Sequence, residues 1–203
     1  MVTKPVKRKN SGAAKKRLIL ALALLIVLPY IGLWYLNVWY DREIKQIANA
    51  RLIIVDKEKM LLRLMDYHGE EQRSYGICCG KSYGNKQTRG DMKTPEGIFH
   101  ITDIEDSSDW EHDFHDGKGR IKGAYGPWFL RLSVPNHKGI GIHGTHKPES
   151  IGHRETEGCI RLKNCDIIDL KERINTGIIV IVLPSYTDLA ASSKDSLQRI
   201  LTN

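Results

Sequence analysis

The sequence predicts a mainly β domain of the α+β class, with one or two short helices, that follows a single transmembrane helix. Two patterns predict it. Residues 18–40 include no charged residue, and from residue 51 onward short aliphatic and β-branched runs alternate with turn residues. A chain of 203 residues with 41% hydrophobic residues has room for one ordinary folded domain and its accessories.

The excess positive charge lies in the first 17 residues. The formal net charge is +7, and residues 1–17 contain seven basic residues and no acidic residue. Removing those seven from the 31 basic residues leaves 24, which equals the number of acidic residues. The rest of the chain is neutral overall, so the basic balance indicates a tail beside a membrane and does not indicate a nucleic-acid partner.

Residues 18–38 predict one transmembrane anchor. At the rise of an α-helix they would span about 30 Å, the thickness of the hydrocarbon core of a bilayer. Trp and Tyr residues cluster at the far end and the basic residues precede the segment, so residues 1–17 are expected to be a cytoplasmic tail. Residues 39–50 then form a short spacer outside the cytoplasm.

A cleavable signal peptide is the alternative to the anchor. Ala48-Asn49-Ala50 resembles a cleavage site, but the apolar stretch is long for a signal peptide and a charged segment separates the two. Either alternative places the folded domain outside the cytoplasm.

The folded domain is expected over residues 51–184, followed by a polar tail, 185–203, that forms a peripheral helix or a frayed end. Asn164 is predicted to cap a helix over about 166–174, with Gly177 just beyond its end. The predicted strands, of which the first two form a hairpin, are 51–56, 60–66, 74–80, 94–104, 127–134, 139–144 and 178–184.

Residues 104–127 lack clear periodicity and form a longer connection than most in compact domains. Aromatic residues in and beside this segment predict either an ordered loop that covers a substrate or a loop pinned to the core. Its two histidines, His112 and His115, are interpreted as solvated loop residues. The aromatic residues are Trp110, Phe114, Tyr125 and Trp128.

The residues with catalytic potential lie in the segment 139–162, GIGIHGTHKPESIGHRETEGCIRL. In a strand, Gly139 and Gly141 share a face with His143, and a face lined by glycine leaves a flat floor for an extended peptide. Cys159 follows His143 by sixteen residues. A thiol attacks as the thiolate, and a histidine within hydrogen-bond reach is a common base for generating it.

The neighbours of Cys159 suit this chemistry. Gly158 would let a substrate carbonyl approach backbone N–H groups around Cys159, which can form an oxyanion hole. In an extended strand Cys159 and Arg161 share a face while Ile160 and Leu162 point inward. Arg161 can then stabilise the thiolate or bind a substrate carboxylate.

Other roles for these residues stay open. The four cysteines are too few and too irregularly spaced for a disulfide scaffold, and Cys159 can be a small buried hydrophobic residue. Cys165, near the start of the predicted helix, competes as a nucleophile but has no histidine near it in sequence. Cys78 and Cys79 are interpreted as packing residues. A zinc site, whose spacing matches no common ligand pair, would use His143, His146, His153 and Cys159.

These motifs resemble those of the L,D-transpeptidase family, which has a YkuD-type catalytic domain. That family carries a His-Gly-Thr segment and, a short distance later, a Ser/Thr-His-Gly-Cys motif often followed by Ile-Arg-Leu. The corresponding segments here are 143–145 and 156–162, and 94–99 resembles the Thr-Pro-x-Gly-x-Phe element of the family. The similarity covers about residues 51–184.

The resemblance implies a YkuD-like β-sandwich or barrel and a two-step transfer on peptidoglycan stem peptides. Cys159 would attack the carbonyl that precedes the terminal D-alanine, with His143 as its base and the Gly144 carbonyl orienting the imidazole. The expected substrate-binding residues are Gly158, Arg161 and Thr145. No metal, nucleotide or other cofactor is needed. The expected location is the bacterial cytoplasmic membrane, crossed once, with the catalytic domain on the periplasmic side.

Glu157 stands where the family usually has a second histidine. A carboxylate there disfavours the thiolate unless it is solvated or paired, for example with Arg154 or Arg161. The acceptor also stays open. An amine of a second stem gives a transpeptidase, whereas water or a free amino acid gives an L,D-carboxypeptidase or an exchange enzyme. A non-catalytic module that binds the cell wall is the alternative from another class.

Overall fold

The computed structural model describes residues 11–48, 50–115, 117 and 119–202. The chain divides into two units, and the first contains one helix, α1 (Ser11–Ala48), with Pro29 inside it. The part from Lys15 to Arg42 is long and apolar enough to cross a membrane, a property that a signal sequence near an amino terminus shares.

Helix α1 extends past both ends of the predicted anchor. The predicted spacer is helical as far as Ala48. Residues 1–10 of the predicted tail, and Asn49 of the alternative cleavage site, lie outside the described residues.

The second unit is built on a mixed, curled β-sheet, which confirms the predicted β-rich α+β class. Eight strands form this sheet in the order β11-β9-β8-β5-β12-β1-β2-β3, while β4 pairs with β10 and β6 pairs with β7. The elements are β1 (Arg51–Asp56), β2 (Leu61–Asp66), β3 (Glu71–Gly76), β4 (Cys79–Gly80), β5 (Gly97–Asp106), β6 (Glu111–Asp113), β7 (Arg120–Lys122), β8 (Trp128–Leu132), β9 (Gly141–His143), β10 (Arg154–Thr156), β11 (Ile160–Arg161), α2 (Asn164–Glu172), β12 (Ile179–Leu183) and α3 (Tyr186–Thr202).

The long strand β5 joins the two halves of the sheet. Its first residues, Gly97 to His100, pair with β12, and its later residues, Ile101 to Asp106, pair with β8. The register shifts between Ile101 and Asp103, and an irregularity of this kind bends a strand. Side chains from both halves therefore reach one core.

This core also holds the helix that follows the motif segment. The hairpin of β1 and β2, predicted from sequence, is confirmed, and its central alternate residues, Ile53 and Val55 in β1 and Leu62 and Leu64 in β2, are buried. Removing an aliphatic side chain of this size from water stabilises a fold by about 1.5–3 kcal/mol. The fully buried core residues include Ile53, Leu62, Leu64, Leu130, Ile142, Ile160, Leu162, Ile167 and Leu170.

The predicted strand over 74–80 is divided into β3 and β4. Pairing with β2 ends at Gly76, after which Cys78 exchanges two backbone hydrogen bonds of 2.8 Å with Arg161. Cys79 then lies beside Arg154 in β10. The chain changes partners within a few residues, and a run of apolar residues does not reveal such a change. Both cysteines are buried.

Asn164 does not cap α2, so this prediction is wrong. The N-cap residue is Lys163, and the helix ends at Glu172, before the predicted end. The Asn164 side-chain oxygen instead accepts a hydrogen bond of 2.7 Å from the backbone N–H of Thr145. The amide therefore joins the start of α2 to the segment that follows β9.

The first turn of α3 is part of the packed domain. Asp188 is fully buried, and its carboxylate caps the helix by accepting from the N–H and the hydroxyl of Ser185. The same carboxylate pairs with Lys57 at 3.2 Å and with Arg154 at 2.7 Å. It also accepts from the N–H of Gly84 at 2.7 Å. One side chain thus connects four segments of the domain.

Residues 104–127 contain more regular structure than the sequence indicates. Strand β5 continues to Asp106, and β6 and β7 form an antiparallel hairpin with Glu111 opposite Lys122. The backbone N–H of Gly123 closes this hairpin on the carbonyl of Trp110 at 2.9 Å. Three-residue strands are too short to produce a periodic pattern in the sequence.

Candidate active site

Strands β9 and β11 bring His143 and Cys159 close together. They pair in parallel, with Ile160 beside Ile142 and Arg161 beside His143. One residue before this pairing, the Cys159 thiol lies against the backbone N–H of Gly141. Cys159 and His143 line one cavity of about 400 Å³. The sheet register therefore brings together two residues that are sixteen positions apart in sequence.

His143 is held in one orientation by three contacts. The ring is only 3% exposed, stacks on Phe129 at 5.6 Å and meets the edge of Tyr125 at 4.9 Å. Its Nδ1 donates to the carbonyl oxygen of Gly144 at 2.7 Å, as the family resemblance implies. Nε2 is then left without a hydrogen and can accept a proton.

Burial lowers the pKa of His143 to about 3. The hydrogen bond to Gly144 raises this pKa, whereas the nearby Arg161 and His112 lower it further. The imidazole is therefore neutral at pH 7, which is the form that can act as a base.

The Cys159 thiol lies in the wall of the cavity and is partly accessible to solvent. It donates to the carbonyl oxygen of Gly139 at 3.4 Å. Across the described part of the domain, no hydrogen bond joins this thiol to the His143 ring. Hydrogen bonds between a nucleophile and its base often tighten only when substrate binds.

Burial raises the pKa of Cys159 to about 11. The N–H of Gly141 and the cations of Lys86 and Arg161 lower this pKa, and the Glu157 carboxylate raises it. The resting pair is therefore a thiol beside a neutral imidazole. Proton transfer must accompany attack on a substrate.

The prediction that Gly141 contributes to a flat, glycine-lined surface beside His143 is wrong. A Cβ on this residue would collide with the Phe129 ring and approach the Leu130 carbonyl oxygen to 2.6 Å, so tight packing excludes a side chain there. Gly139 lies before β9 with a φ of +80°, and its carbonyl faces the thiol. The two glycines allow close packing and a turn, and they do not form a flat face.

Gly158 is required by the backbone. Its φ is +136°, and a Cβ would lie 2.8 Å from the carbonyl oxygen of Lys93. Its N–H donates to the Thr156 hydroxyl at 3.2 Å, and that hydroxyl donates to the carbonyl of Cys159 at 2.6 Å. The Gly158 N–H is thus engaged inside the turn.

Arg161 lines the cavity together with Cys159, and Ile160 and Leu162 are buried in the core, as the alternation predicts. The guanidinium is almost fully buried and donates to the Ser150 hydroxyl at 2.9 Å, while its Nε has no partner among the described residues. Arg161 also lines a second cavity of about 330 Å³. A buried guanidinium with an unused Nε–H donor suits a carboxylate or carbonyl ligand.

Thr145 lies outside both cavities. It is 2% exposed, its N–H donates to Asn164, and its hydroxyl accepts from the Lys147 N–H at 2.8 Å. These contacts make Thr145 a turn residue that lines neither cavity, contrary to the expectation that it binds substrate.

The β6–β7 hairpin covers the cavity. Phe114 lines both cavities, and His112 approaches the motif segment, where its Nε2 lies 3.2 Å from the Glu157 carboxylate. His112 Nδ1 lies 2.9 Å from the Tyr125 hydroxyl. The partner of Glu157 is therefore a histidine of the hairpin, and neither Arg154 nor Arg161, which were named as examples of possible partners. His112 is also not a freely solvated loop residue.

The family model described as the YkuD L,D-transpeptidase catalytic domain matches residues 50–182. The chain belongs to the L,D-transpeptidase family. This membership confirms the resemblance drawn from the motifs, and it identifies the domain as that of a cell-wall enzyme family acting on peptidoglycan peptides.

Relatives of known sequence agree with the L,D-transpeptidase assignment. L,D-transpeptidase YkuD of Bacillus licheniformis is 39% identical over 62 residues, 30% of this chain and 36% of the relative. YkuD of Bacillus subtilis is 40% identical over 60 residues, or 30% and 35%. YqjB of Bacillus subtilis is 26% identical over 130 residues, or 62% and 69%. The chain thus spans little more than a third of the two YkuD proteins.

Solved structures share the fold at low sequence identity. The catalytic domain of the Enterococcus faecium L,D-transpeptidase has a TM-score of 0.50 at 19% identity, covering 66% of this chain and 98% of that domain. An L,D-transpeptidase from Mycobacterium tuberculosis also has a TM-score of 0.50, at 16% identity, covering 66% and 57%.

Lys86 is a residue of the L,D-transpeptidase site that sequence reasoning missed. It is 9% exposed, pairs with Asp91 at 2.8 Å and lines the cavity that contains Cys159. Its ammonium lies 3.4 Å from the place that a Cβ of Gly158 would occupy. A lysine in a polar loop carries no sequence signal that distinguishes it from a solvated lysine.

The predicted competitor Cys165 lies elsewhere. It is exposed at the start of α2, where its thiol contacts Asp166. No group of three His, Cys, Asp or Glu side chains in the described ranges is placed to hold a metal ion.

Proposed function

We propose that the chain is a peptidoglycan L,D-transpeptidase with Cys159 as nucleophile and His143 as base. The observation that carries the proposal is the state of the imidazole. Because its Nδ1–H is fixed on the Gly144 carbonyl, a neutral ring presents Nε2 as acceptor in the cavity that it shares with the thiol.

In the proposed first step, the Cys159 sulfur attacks the carbonyl carbon that precedes the terminal D-alanine, and the thiol proton passes to His143. Collapse of the tetrahedral intermediate breaks the C–N bond, and the departing amine takes the proton from His143. A thioester remains on Cys159. In the second step an amine of another stem loses a proton to His143, attacks the thioester and releases the thiol.

Two cations support binding of an anionic stem peptide in this cavity. Arg161 has an unused Nε–H donor at its buried guanidinium, and the Lys86 ammonium lies close to Gly158. Both also favour the thiolate that forms during attack, since they lower the pKa of Cys159. The chemistry proceeds with side chains alone and uses no cofactor.

Incubating the full chain, in detergent, with purified tetrapeptide stems and identifying the products by mass spectrometry tests the function. A crosslinked dimer that lacks one D-alanine supports the transpeptidase. Free tripeptide supports an L,D-carboxypeptidase, and replacement of D-alanine by an added D-amino acid supports exchange. Absence of all three products and of an acyl adduct on Cys159 contradicts the enzymatic proposal and favours a module that binds the wall.

The matched control is the second accessible thiol. Cys159→Ser is expected to reduce product formation to background, whereas Cys165→Ser is expected to stay within about twofold of the unmodified chain, because Cys165 is exposed on α2 away from the base. The reverse pattern contradicts the assignment of the nucleophile.

We propose further that α1 anchors the protein in the bacterial cytoplasmic membrane, with its amino terminus in the cytoplasm and the domain outside. The exposed Cys165 provides a test, because a membrane-impermeant maleimide should label it in intact spheroplasts. Labelling that requires lysis contradicts this orientation. A mature protein that starts after Ala50 indicates a cleaved signal peptide.

A further inference from the structure

The β6–β7 hairpin brings an imidazole to the motif position that lacks one. The family motif has histidine where this chain has Glu157, and the side chain that meets Glu157 is His112, 45 residues earlier. We infer that Glu157 and His112 act as one positioning unit, which latches the hairpin over the cavity and orients the Tyr125 hydroxyl. The link to acyl transfer rests on the proposed function.

The hydrogen bond to Glu157 fixes the tautomer of His112. A carboxylate only accepts hydrogen bonds at neutral pH, so His112 must carry a hydrogen on Nε2 to bond Glu157 at 3.2 Å. In a neutral ring Nδ1 is then an acceptor. The Tyr125 hydroxyl, 2.9 Å away, donates its hydrogen to this Nδ1. Glu157 thus sets the direction of a hydrogen bond that it does not touch.

The tautomer of His112 determines which hydrogen bonds the Tyr125 hydroxyl can make. Its hydroxyl has one hydrogen, and that hydrogen is used on His112, so toward the cavity the oxygen can only accept. Burial, together with the negative charges of an ionised Cys159 and of Glu157, raises the pKa of Tyr125 to about 12, so the phenol stays neutral. A neutral acceptor beside the base suits the N–H of an attacking amine.

The described contacts of the hairpin with its surroundings are mainly aromatic: the His112 ring meets Tyr125 at 5.6 Å, and Phe114 meets His146 at 5.3 Å. Among the described residues, the hydrogen bond between His112 and Glu157 is a polar side-chain contact of the hairpin with the turn that precedes Cys159. Both partners are about one-third exposed, so the latch can open for a substrate without a large cost.

Hydrogen exchange on the full chain in detergent tests the latch without requiring catalysis. Amides of residues 111–115 and 119–122 should exchange about fivefold faster in Glu157→Gln and in His112→Phe, which keeps an aromatic ring but removes both hydrogen bonds. The double variant should exchange no faster than either single variant. Multiplying effects, or no effect in either single variant, would overturn the inference.

The matched control is the other described histidine of the hairpin. His115 is 86% exposed and, among the described residues, pairs with Asp113 beside it, so His115→Gln should leave exchange within about twofold. A fivefold change in this control would mean that the hairpin responds to any substitution, and it would overturn the specific role of His112.

The tautomer of His112 can be measured directly, and a contact with only a structural role would not determine which ring nitrogen is protonated. Nitrogen-15 imidazole spectra of the full chain should show His112, assigned by its loss in His112→Phe, protonated on Nε2. In Glu157→Gln this preference should weaken, while Tyr125→Phe should leave Nε2 protonated. A ring protonated on Nδ1 in the unmodified chain would overturn the inference. If these results hold and no crosslinked product forms, the latch stands and the proposed acceptor chemistry fails.

Discussion

Two polar contacts lie in the stretch that leads to Cys159, and they differ in almost every physical respect. At its amino-terminal side Arg154 meets Asp188, whose side chain is fully buried and also pairs with Lys57. At the Cys159 side Glu157 meets His112, and both side chains are about one-third exposed. A buried charge that loses its partner is costly, whereas an exposed pair contributes little. One end of the segment is therefore fixed, and the other can release the hairpin.

Removing the buried anchor should have the largest effect. We expect Asp188→Ala to lower the free energy of unfolding of the full chain by about 3–5 kcal/mol, because two buried cations lose a partner. Denaturant unfolding followed by tryptophan fluorescence measures this change. Asp195→Ala, on the same helix, removes a half-exposed contact with Lys93 and should cost less than about 1 kcal/mol. Equal losses of unfolding free energy in Asp188→Ala and Asp195→Ala would contradict the predicted difference between a buried and an exposed contact.

The Cys159 thiol, which follows both contacts in sequence, should respond steeply to pH. Because the pKa of Cys159 is about 11, its rate of alkylation should rise about tenfold per pH unit between pH 7 and 10. Iodoacetamide modification of Cys159, measured in the Cys165→Ser chain by peptide mass spectrometry, provides the rates. A plateau reached near pH 7 would indicate a thiolate already paired with His143 in the resting state.

Acid should weaken the buried anchor selectively. The pKa of Asp188 lies well below its ordinary value, because burial raises it but hydrogen bonds from Ser185 and Gly84 and the charge of Lys57 lower it more. Its contribution is complete above the unfolded pKa of about 3.9 and is lost as the pH falls toward the folded pKa. Below pH 4 the unmodified chain should lose up to about 1.4 kcal/mol per pH unit more than Asp188→Asn. Parallel curves of unfolding free energy against pH would contradict this account.

The smallest effect on stability is expected at the exposed contact. Glu157→Gln should change the free energy of unfolding by less than about 1 kcal/mol. It should nevertheless move the alkylation midpoint of Cys159 to lower pH, because the Glu157 carboxylate raises the thiol pKa. Glu155→Gln, which disturbs a partly exposed pair with Lys147, is the control and should leave the midpoint in place. A large loss of stability in Glu157→Gln would make this contact resemble the Asp188 anchor.

The sequence predicts the parts of this molecule that follow local rules. Alternating apolar residues located the β1–β2 hairpin, and the inward direction of Ile160 and Leu162 followed from strand geometry. The motif brought Cys159 and His143 into consideration together. Each of these predictions needs only residues that are near in sequence or a pattern with a fixed spacing.

What the sequence did not predict depends on contacts between distant segments. His112 meets Glu157 across 45 residues, and Arg154 meets Asp188 across 34. No periodicity connects such pairs. The role of Gly141 was misjudged for the same reason, since the Phe129 ring that excludes a side chain belongs to another strand. Asn164 likewise has a better partner in Thr145 than in its own helix.

The position of β1 in the sheet bears on how the domain is made. This strand lies between β2, which follows it directly, and β12, with which it pairs in parallel from Leu52 beside Ile179 to Asp56 beside Leu183. Pairing across more than a hundred residues is slow to form and requires both segments to be present. During synthesis the β1–β2 hairpin can form early, but its open edge stays unpaired until residue 183 has left the ribosome. Any premature stop before β12 leaves that edge exposed to other chains.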